Sequence, residues 1–196
     1  MYTPPKQIRA KQTEEKILGA LSQLLTERSF HDVTVRQICE ASAISNGAFM
    51  TRFGSKRAAL AQLFQLFCDD VLQTLSALAS HEPRNKAQLQ KFLEQASEAY
   101  EALVWQHWGA NRAMHEVFLK EGVIDDKTKN IFRETVDLLH PVFCLALGNQ
   151  WSVAQTFSAA QLLVTINYNF ALGAMPGLPA DASRRHQMIS GLLASV

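Results

Sequence analysis

Apolar residues recur at helical spacing along most of this chain, and no segment gives a run of strand alternation bounded by turns. Thr13 followed by Glu14 and Glu15 reads as an N-cap with two acids in a first turn. Ile17, Leu18, Leu21, Leu24 and Leu25 then form one stripe to about Glu27. Thr34-Val-Arg-Gln37 is a T-x-x-Q capping box with Val35 and Ile38 facing inward, so a short second helix runs to about Ala41. Ser42 to Ile44 make a turn. Ser45 caps a third short helix reaching about Thr51, and Ser55 caps a fourth that carries Leu60, Leu63, Phe64, Phe67 and Val71 towards Ala79. Asn46-Gly47 is a hairpin dipeptide in other settings, but its flanks do not alternate, so it belongs inside the third helix.

The break His81-Glu-Pro-Arg84 precedes a long amphipathic helix through Leu89, Phe92, Leu93, Ala96, Tyr100, Leu103 and Val104. A shorter helix spans Asn111 to Lys120 and stops at Gly122. Asp125 or Asp126 caps the next, which passes Phe132, Val136 and Leu139 to Leu147 and ends at Gly148. Pro141 lies inside it, and a proline there removes an amide donor, so a kink is expected between Asp137 and Pro141. Residues 152 to about 173 are apolar on most of their circumference, and after Met175-Pro-Gly-Leu-Pro179 a final helix presents Met188, Ile189, Leu192, Leu193 and Val196. The expectation is an all-α protein of about nine helices.

Composition narrows the class. With 47% hydrophobic and 19% charged residues in 196, the chain can bury a core without staples. The cysteines Cys39, Cys68 and Cys144 are odd in number, far apart and without a CxxC pair, which supports neither a disulfide framework nor a zinc ribbon and fits a reducing cytoplasm. No apolar run reaches the roughly 18 residues of a membrane span, and the first residues carry no signal-peptide segment. Charge is uneven: residues 1–57 hold nine Lys and Arg against five Asp and Glu, whereas residues 58–196 hold ten against thirteen. A basic N-terminal end points to a polyanionic partner.

Two short capped helices joined by a three-residue turn inside a basic segment are the pattern of a helix-turn-helix. Residues 14 to 64, with Ile17, Leu18, Ala20, Phe30 and then TVRQICEASAISNGAFMTRFGSKRAAL, resemble the DNA-binding domain of the TetR (tetracycline repressor) family. The resemblance lies in the order Thr34-Val35, Ile38, Ile44-Ser45, Gly47, Phe49, Phe53 and Ser55-Lys56. It implies an N-terminal DNA-binding domain over residues 1–57, with an arm over 1–12, and a ligand-binding and dimerisation domain over 58–196. Thr34 to Ala41 would be the first motif helix and Ser45 to about Thr51 the recognition helix. The DNA-contact candidates are Thr34, Arg36, Ser45, Asn46, Gly47, Met50, Thr51, Arg52 and Lys56. Lys56 beside the free amides of a helix N-terminus suits a phosphate, and Arg36 suits the paired acceptors of guanine. The arm's Lys6, Arg9 and Lys11 can enter an adjacent minor groove.

Two positions depart from the family pattern. Met50 stands where a tyrosine usually bonds a phosphate, and Ala43 stands where glycine is usual. Either that turn avoids positive φ or Ala43 carries a strain of about 1 kcal/mol or more.

Beyond residue 57 the resemblance implies a sensor body that binds a small apolar or aromatic inducer and pairs as a homodimer. The candidate ligand residues are Phe64, Phe67, Trp105, Trp108, Asn111, Phe118, Phe143, Thr165 and Tyr168, since an aromatic core with scattered polar groups is how apolar pockets look. The dimerisation candidates are Met188, Ile189, Leu192 and Leu193. No metal, cofactor or catalytic set is expected: His107 and His115 are eight apart, about 12 Å along a helix, too far to share an ion. Cys144 follows His140 by four and can face it, which keeps a thiol or redox sensor as an alternative. A helical protein-interaction module without an operator is the other. The expected function is a cytoplasmic, non-enzymatic repressor released from a palindromic operator on double-stranded DNA.

Overall fold

The computed structural model describes residues 5–121, 126–148 and 151–171, with 184, 187 and 188; the side chains of 5–7, 118–121, 126–129, 131, 132, 160, 163, 164 and 166–171 lie outside the description. Eight helices and no strand occur among the described residues: α1 Pro5–Glu27, α2 Val35–Ser42, α3 Asn46–Phe53, α4 Lys56–Ala79, α5 Lys86–Gln106, α6 Trp108–Glu121, α7 Asp126–Leu147 and α8 Val153–Ala171. None is long and apolar enough to cross a membrane. The all-α expectation holds. Gln187 and Met188 are helical, while Ile189, Leu192 and Leu193 of the expected last helix lie outside the described residues.

The first helix begins earlier than the periodicity placed it. Thr13 is not an N-cap; its Oγ1 donates to the Arg9 carbonyl at 2.9 Å, one turn back inside α1. Pro5 opens the helix, a position where a missing amide proton costs nothing. Residues 5–12 therefore extend α1 rather than form a separate arm. At the other end of α3 the helix runs to Phe53, past the expected Thr51, and closes on Gly54 in the left-handed region at φ 69°. In α6 the helix starts at Trp108 rather than Asn111. The α7 helix runs through Pro141 as one element and ends at Gly148, φ 90°.

The chain divides into two compact units, Met1–Phe67 with His107–Val123, and Cys68–Gln106 with Ile124–Val196. The expected boundary between residues 57 and 58 falls inside α4, and α6 groups with the N-terminal helices. In the first unit, Ile17, Leu21 and Leu25 of α1, Ile38 of α2, Phe49 of α3, Leu60 of α4 and Ala110 and Ala113 of α6 share one core. Close approach of α6 to α1 depends on Gly109. A Cβ added there would lie 2.9 Å from both Leu25 Cβ and the Ser22 carbonyl oxygen. Arg112 Nη2 then donates to the carbonyls of Leu25 at 2.6 Å and Arg28 at 2.5 Å, satisfying acceptors that the end of α1 leaves over. One turn on, Glu116 Oε2 accepts from Ser29 Oγ and from the Phe30 amide, both at 2.9 Å. Thus α6 holds the α1–α2 connection from which the two motif helices start.

In the second unit, α5, α7 and α8 pack on one another. Leu89, Phe92, Leu93, Ala96, Tyr100 and Val104 of α5 are buried, as are Val136, Leu139, Val142 and Phe143 of α7. Asn85 caps α5, its Oδ1 accepting from the Gln88 amide at 2.9 Å.

Candidate nucleic-acid interface

Local chemistry closes the starts of the two motif helices. Thr34, extended at φ −103°, accepts the Gln37 amide on Oγ1, and Gln37 Oε1 accepts the Thr34 amide at 2.8 Å. Such a closed capping box is worth about 1 kcal/mol over an uncapped end. Ser45 repeats the device, accepting the Ala48 amide at 3.2 Å. Between them the turn closes on Ala43 at φ 54°, ψ 37°, whose amide reaches back to the Cys39 and Glu40 carbonyls. Of the two conformations open to this turn, it adopts the left-handed one, and a non-glycine residue bears its strain. In that conformation Ile44 N also bonds the Cys39 carbonyl at 3.0 Å, which turns the chain sharply into α3.

Helical spacing splits α3 into two faces. Phe49 is fully buried, and Phe53 lies against it with ring centroids 5.7 Å apart. Asn46, Gly47, Met50 and Thr51 occupy the opposite, exposed face. Met50 is 47% exposed, far more than a core methionine. Gly47 has open space around it, so packing does not require a glycine there; a bare backbone at that position lets another molecule approach closely. Thr51 turns its hydroxyl to the Gly47 carbonyl, 2.8 Å away.

The cations around this face are differently engaged. Arg36 is exposed on α2, and its Nε donates to Glu40 Oε1 at 2.8 Å; that hydrogen bond and the Glu40 charge push its already high pKa higher. Its terminal nitrogens stay available for an outside acceptor. With Cys39, Glu40, Ala43, Ile44 and Asn46, Arg36 lines a shallow groove between α2 and α3. Arg52 pairs with Glu14 of α1 and so ties the end of α3 to the first helix. Lys56 points inward: its Nζ donates to the carbonyls of Phe30 and Val33, each at 2.5 Å, and sits 4.2 Å from the centre of the Phe30 ring. Burial lowers its pKa, with Asp32 opposing. An ammonium has three protons, and two are directed to carbonyls, so one remains for a phosphate. Glu40, Arg112 and Glu116, and the pairing of Glu14 with Arg52, are what sequence reading passed over. The i,i+4 spacings of Arg36 with Glu40 and of Arg112 with Glu116 were visible in the chain.

The ligand candidates divide between the units. Phe64, Phe67, Trp108, Asn111 and Phe118 belong to the first, where Phe67 is buried with its ring 5.5 Å from Phe64 and edge-on to His107 at 5.8 Å. Asn111 is fully buried and donates from Nδ2 to the His107 carbonyl at 3.2 Å. Trp105, Phe143, Thr165 and Tyr168 belong to the second: Phe143 is buried and stacks on Trp151, whereas Trp105 is 50% exposed and Thr165 is exposed. The Phe118 and Tyr168 side chains lie outside the described residues. No group of three or more His, Cys, Asp or Glu able to hold a metal occurs among the described residues.

Residues 17–63 match the family model for bacterial regulatory proteins of the tetR family. Solved structures of similar fold include a protein of Pseudomonas aeruginosa PAO1 provisionally described as a transcriptional regulator, 23% identical over 98% of this chain and 93% of its own, with a TM-score of 0.68. The TetR family transcriptional regulator PfmR from Thermus thermophilus is 16% identical over 90% of this chain and 96% of its own, with a TM-score of 0.64. The TetR family repressor AlkX from Dietzia sp. strain DQ12-45-1b, implicated in biodegradation of n-alkanes, is 20% identical over 93% of this chain and 96% of its own, with a TM-score of 0.53. No curated protein gives a match.

Proposed function

We propose, from the premise that residues 17–63 match the DNA-binding part of the tetR family of bacterial regulatory proteins, that this chain is a homodimeric DNA-binding repressor which a small apolar or aromatic molecule releases from a palindromic operator. The observation that carries it is the two-faced third helix. Phe49 and Phe53 hold α3 to the core while Asn46, Gly47, Met50 and Thr51 stay exposed beside Arg36. A helix so mounted can enter a major groove without unfolding anything, and Thr34, Ser45 and Lys56 sit at helix starts, where amides favour phosphate. Arg36 reads a base edge, Lys56 contributes its third proton to a phosphate, and Arg52 keeps α3 in place through Glu14. Met50 offers the groove an apolar contact in place of a phenol.

Dimerisation through the last helices agrees with the exposure of Val153 at 58%, Phe157 at 42% and Met188 at 43%, more apolar surface than a monomer needs there. Two-fold pairing would set the recognition helices about 34–36 Å apart, one DNA turn. The inducer is proposed to act on the face of Phe64 and Phe67, because α4 starts at the interface with Lys56 and continues as one helix past those rings. Asn111 would fix its orientation. For a hundredfold loss of operator affinity the inducer must prefer the DNA-incompetent state by about 2.7 kcal/mol, and operator DNA must then weaken inducer binding equally.

Selection of operator sequences from a random pool, followed by footprinting, tests the reading. The selected site should be a palindrome with steep salt dependence. Recovery of no enriched sequence by the intact chain would refute it in favour of a protein-interaction module.

A further inference from the structure

Arg36 and Glu40 form an ion pair that helix stability does not account for. Arg36 is the second residue of α2, and Glu40 lies in its last turn. A helix has its positive pole at the N-terminus and its negative pole at the C-terminus, so each charge stands at the end that opposes it. The order is also the weaker one, since an acid placed four residues before a base supports a helix better than the reverse. Both side chains are largely in solvent, 87% and 60% exposed, where such pairs add little. The hydrogen bond from Arg36 Nε to Glu40 Oε1 is nevertheless a short one, 2.8 Å.

The pair lines the shallow groove between α2 and α3, where Asn46, the first residue of α3, is the neighbouring polar group. Glu40 is the one acid among the described residues of that groove. A carboxylate on a face that meets DNA repels phosphates, and its hydrogen bond to Arg36 supplies the reason for its place there. A guanidinium carries five N–H donors in one plane. Glu40 engages the donor on Nε, which closes the side-on fork and leaves the end-on fork of the two terminal nitrogens. With its plane held in this way, Arg36 presents paired donors that match the O6 and N7 acceptors of guanine. The competing acceptor is a phosphate oxygen, which the adjacent carboxylate disfavours by like charge.

We propose that Glu40 is a specificity-determining residue for DNA recognition: it holds Arg36 in the orientation that reads guanine and turns it away from the phosphate backbone. Glu40 acts through Arg36 and is a positioning residue, with no base contact of its own. The inference rests on the DNA-binding reading above and adds to it the residue that sets which acceptor Arg36 takes.

The experiment selects operators from a random DNA pool with the intact wild type, Glu40→Gln, Glu40→Ala, Arg36→Ala and the Arg36→Ala, Glu40→Ala double variant, and measures their affinities by fluorescence anisotropy across a range of salt. Glu40 is exposed and alanine is the best helix former, so the variants fold, which circular dichroism verifies. Glu40→Ala removes acceptor and charge together. Its preference for guanine should fall about tenfold at the position that Arg36→Ala also relaxes, and its salt slope should steepen by about one per half-site. Glu40→Gln keeps an acceptor for Nε but loses the charge, so it should steepen the slope equally while retaining the guanine preference. In the Arg36→Ala background, Glu40→Ala should leave the base profile unchanged. A stabilising role alone would weaken all sequences alike and move no profile. A wild type that enriches no sequence overturns the DNA-binding reading and this inference with it. A wild type that selects an operator whose base profile Glu40→Ala leaves intact overturns this inference alone, as does a profile that Glu40→Ala relaxes further in the Arg36→Ala background.

Discussion

Ala43→Gly should stabilise the helix-turn-helix. Ala43 sits at φ 54°, ψ 37°, where a Cβ on an L-residue costs about 1–2 kcal/mol. Its methyl is exposed, so removing it sacrifices little burial. Against the relief stands the extra freedom that glycine gives the unfolded chain, about 0.5–1 kcal/mol. The difference favours glycine by about 0.5–1 kcal/mol, and a chain of this length gains about 1–4 °C in melting temperature from it. Gly54→Ala is the reciprocal change. Gly54 occupies φ 69° with open space around it, so alanine there meets no clash and the cost is backbone strain alone. It should lower stability by a similar amount. The assay is thermal melting of both variants, combined with hydrogen exchange of the amides of residues 34–54, which localises the effect. A melting temperature that falls for Ala43→Gly, or that moves in the same direction for both, would refute the strain argument.

Gly47→Ala should separate stability from function: helix propensity favours alanine by about 1 kcal/mol in open space, while operator affinity measured by fluorescence anisotropy should fall because the new methyl stands on the exposed face. Gly109→Ala should destabilise the first unit by up to about 2 kcal/mol in a denaturant melt, since overpacking against the Leu25 and Ser22 backbone, costing about 1–3 kcal/mol, is offset by the same propensity gain of about 1 kcal/mol. Arg36→Ala should relax base preference at one operator position at a cost of about 1–3 kcal/mol, whereas Lys56→Ala should weaken every sequence and reduce the salt slope by about one per half-site; identical specificity profiles for the two variants would contradict the roles assigned. Leu192→Glu combined with Leu193→Glu should give a monomer by sedimentation that no longer binds a palindrome.

The elements and the motif were legible in the chain because their causes are local. A capping box needs only Thr34 and Gln37 three residues apart, and the inward stripe of Ile17, Leu18, Leu21 and Leu25 needs only the helical period. The start of α1 was misplaced for the same local reason: Thr13 has the chemistry of a cap, and only the formed helix shows its hydroxyl bonded to Arg9. Residues 6–12 are mostly good helix formers, but weak propensity carries no boundary signal.

What the sequence by itself determined is the all-helical class, the two capped motif helices and the identity of the residues on the exposed face of α3. The tertiary structure decided which turn conformation Ala43 adopts, that Arg52 is engaged by Glu14, that Lys56 turns two of its protons to the Phe30 and Val33 carbonyls, and that α6 joins the N-terminal unit. None of those partners is nearer than 23 residues in the chain, apart from the turn itself. Helical periodicity reports which side of a helix is apolar, not which other helix will cover it. Gly109, Arg112 and Glu116 acquire their meaning only when α6 lies on α1, where a missing Cβ lets the backbones meet and two side chains satisfy the groups that the end of α1 leaves unbonded.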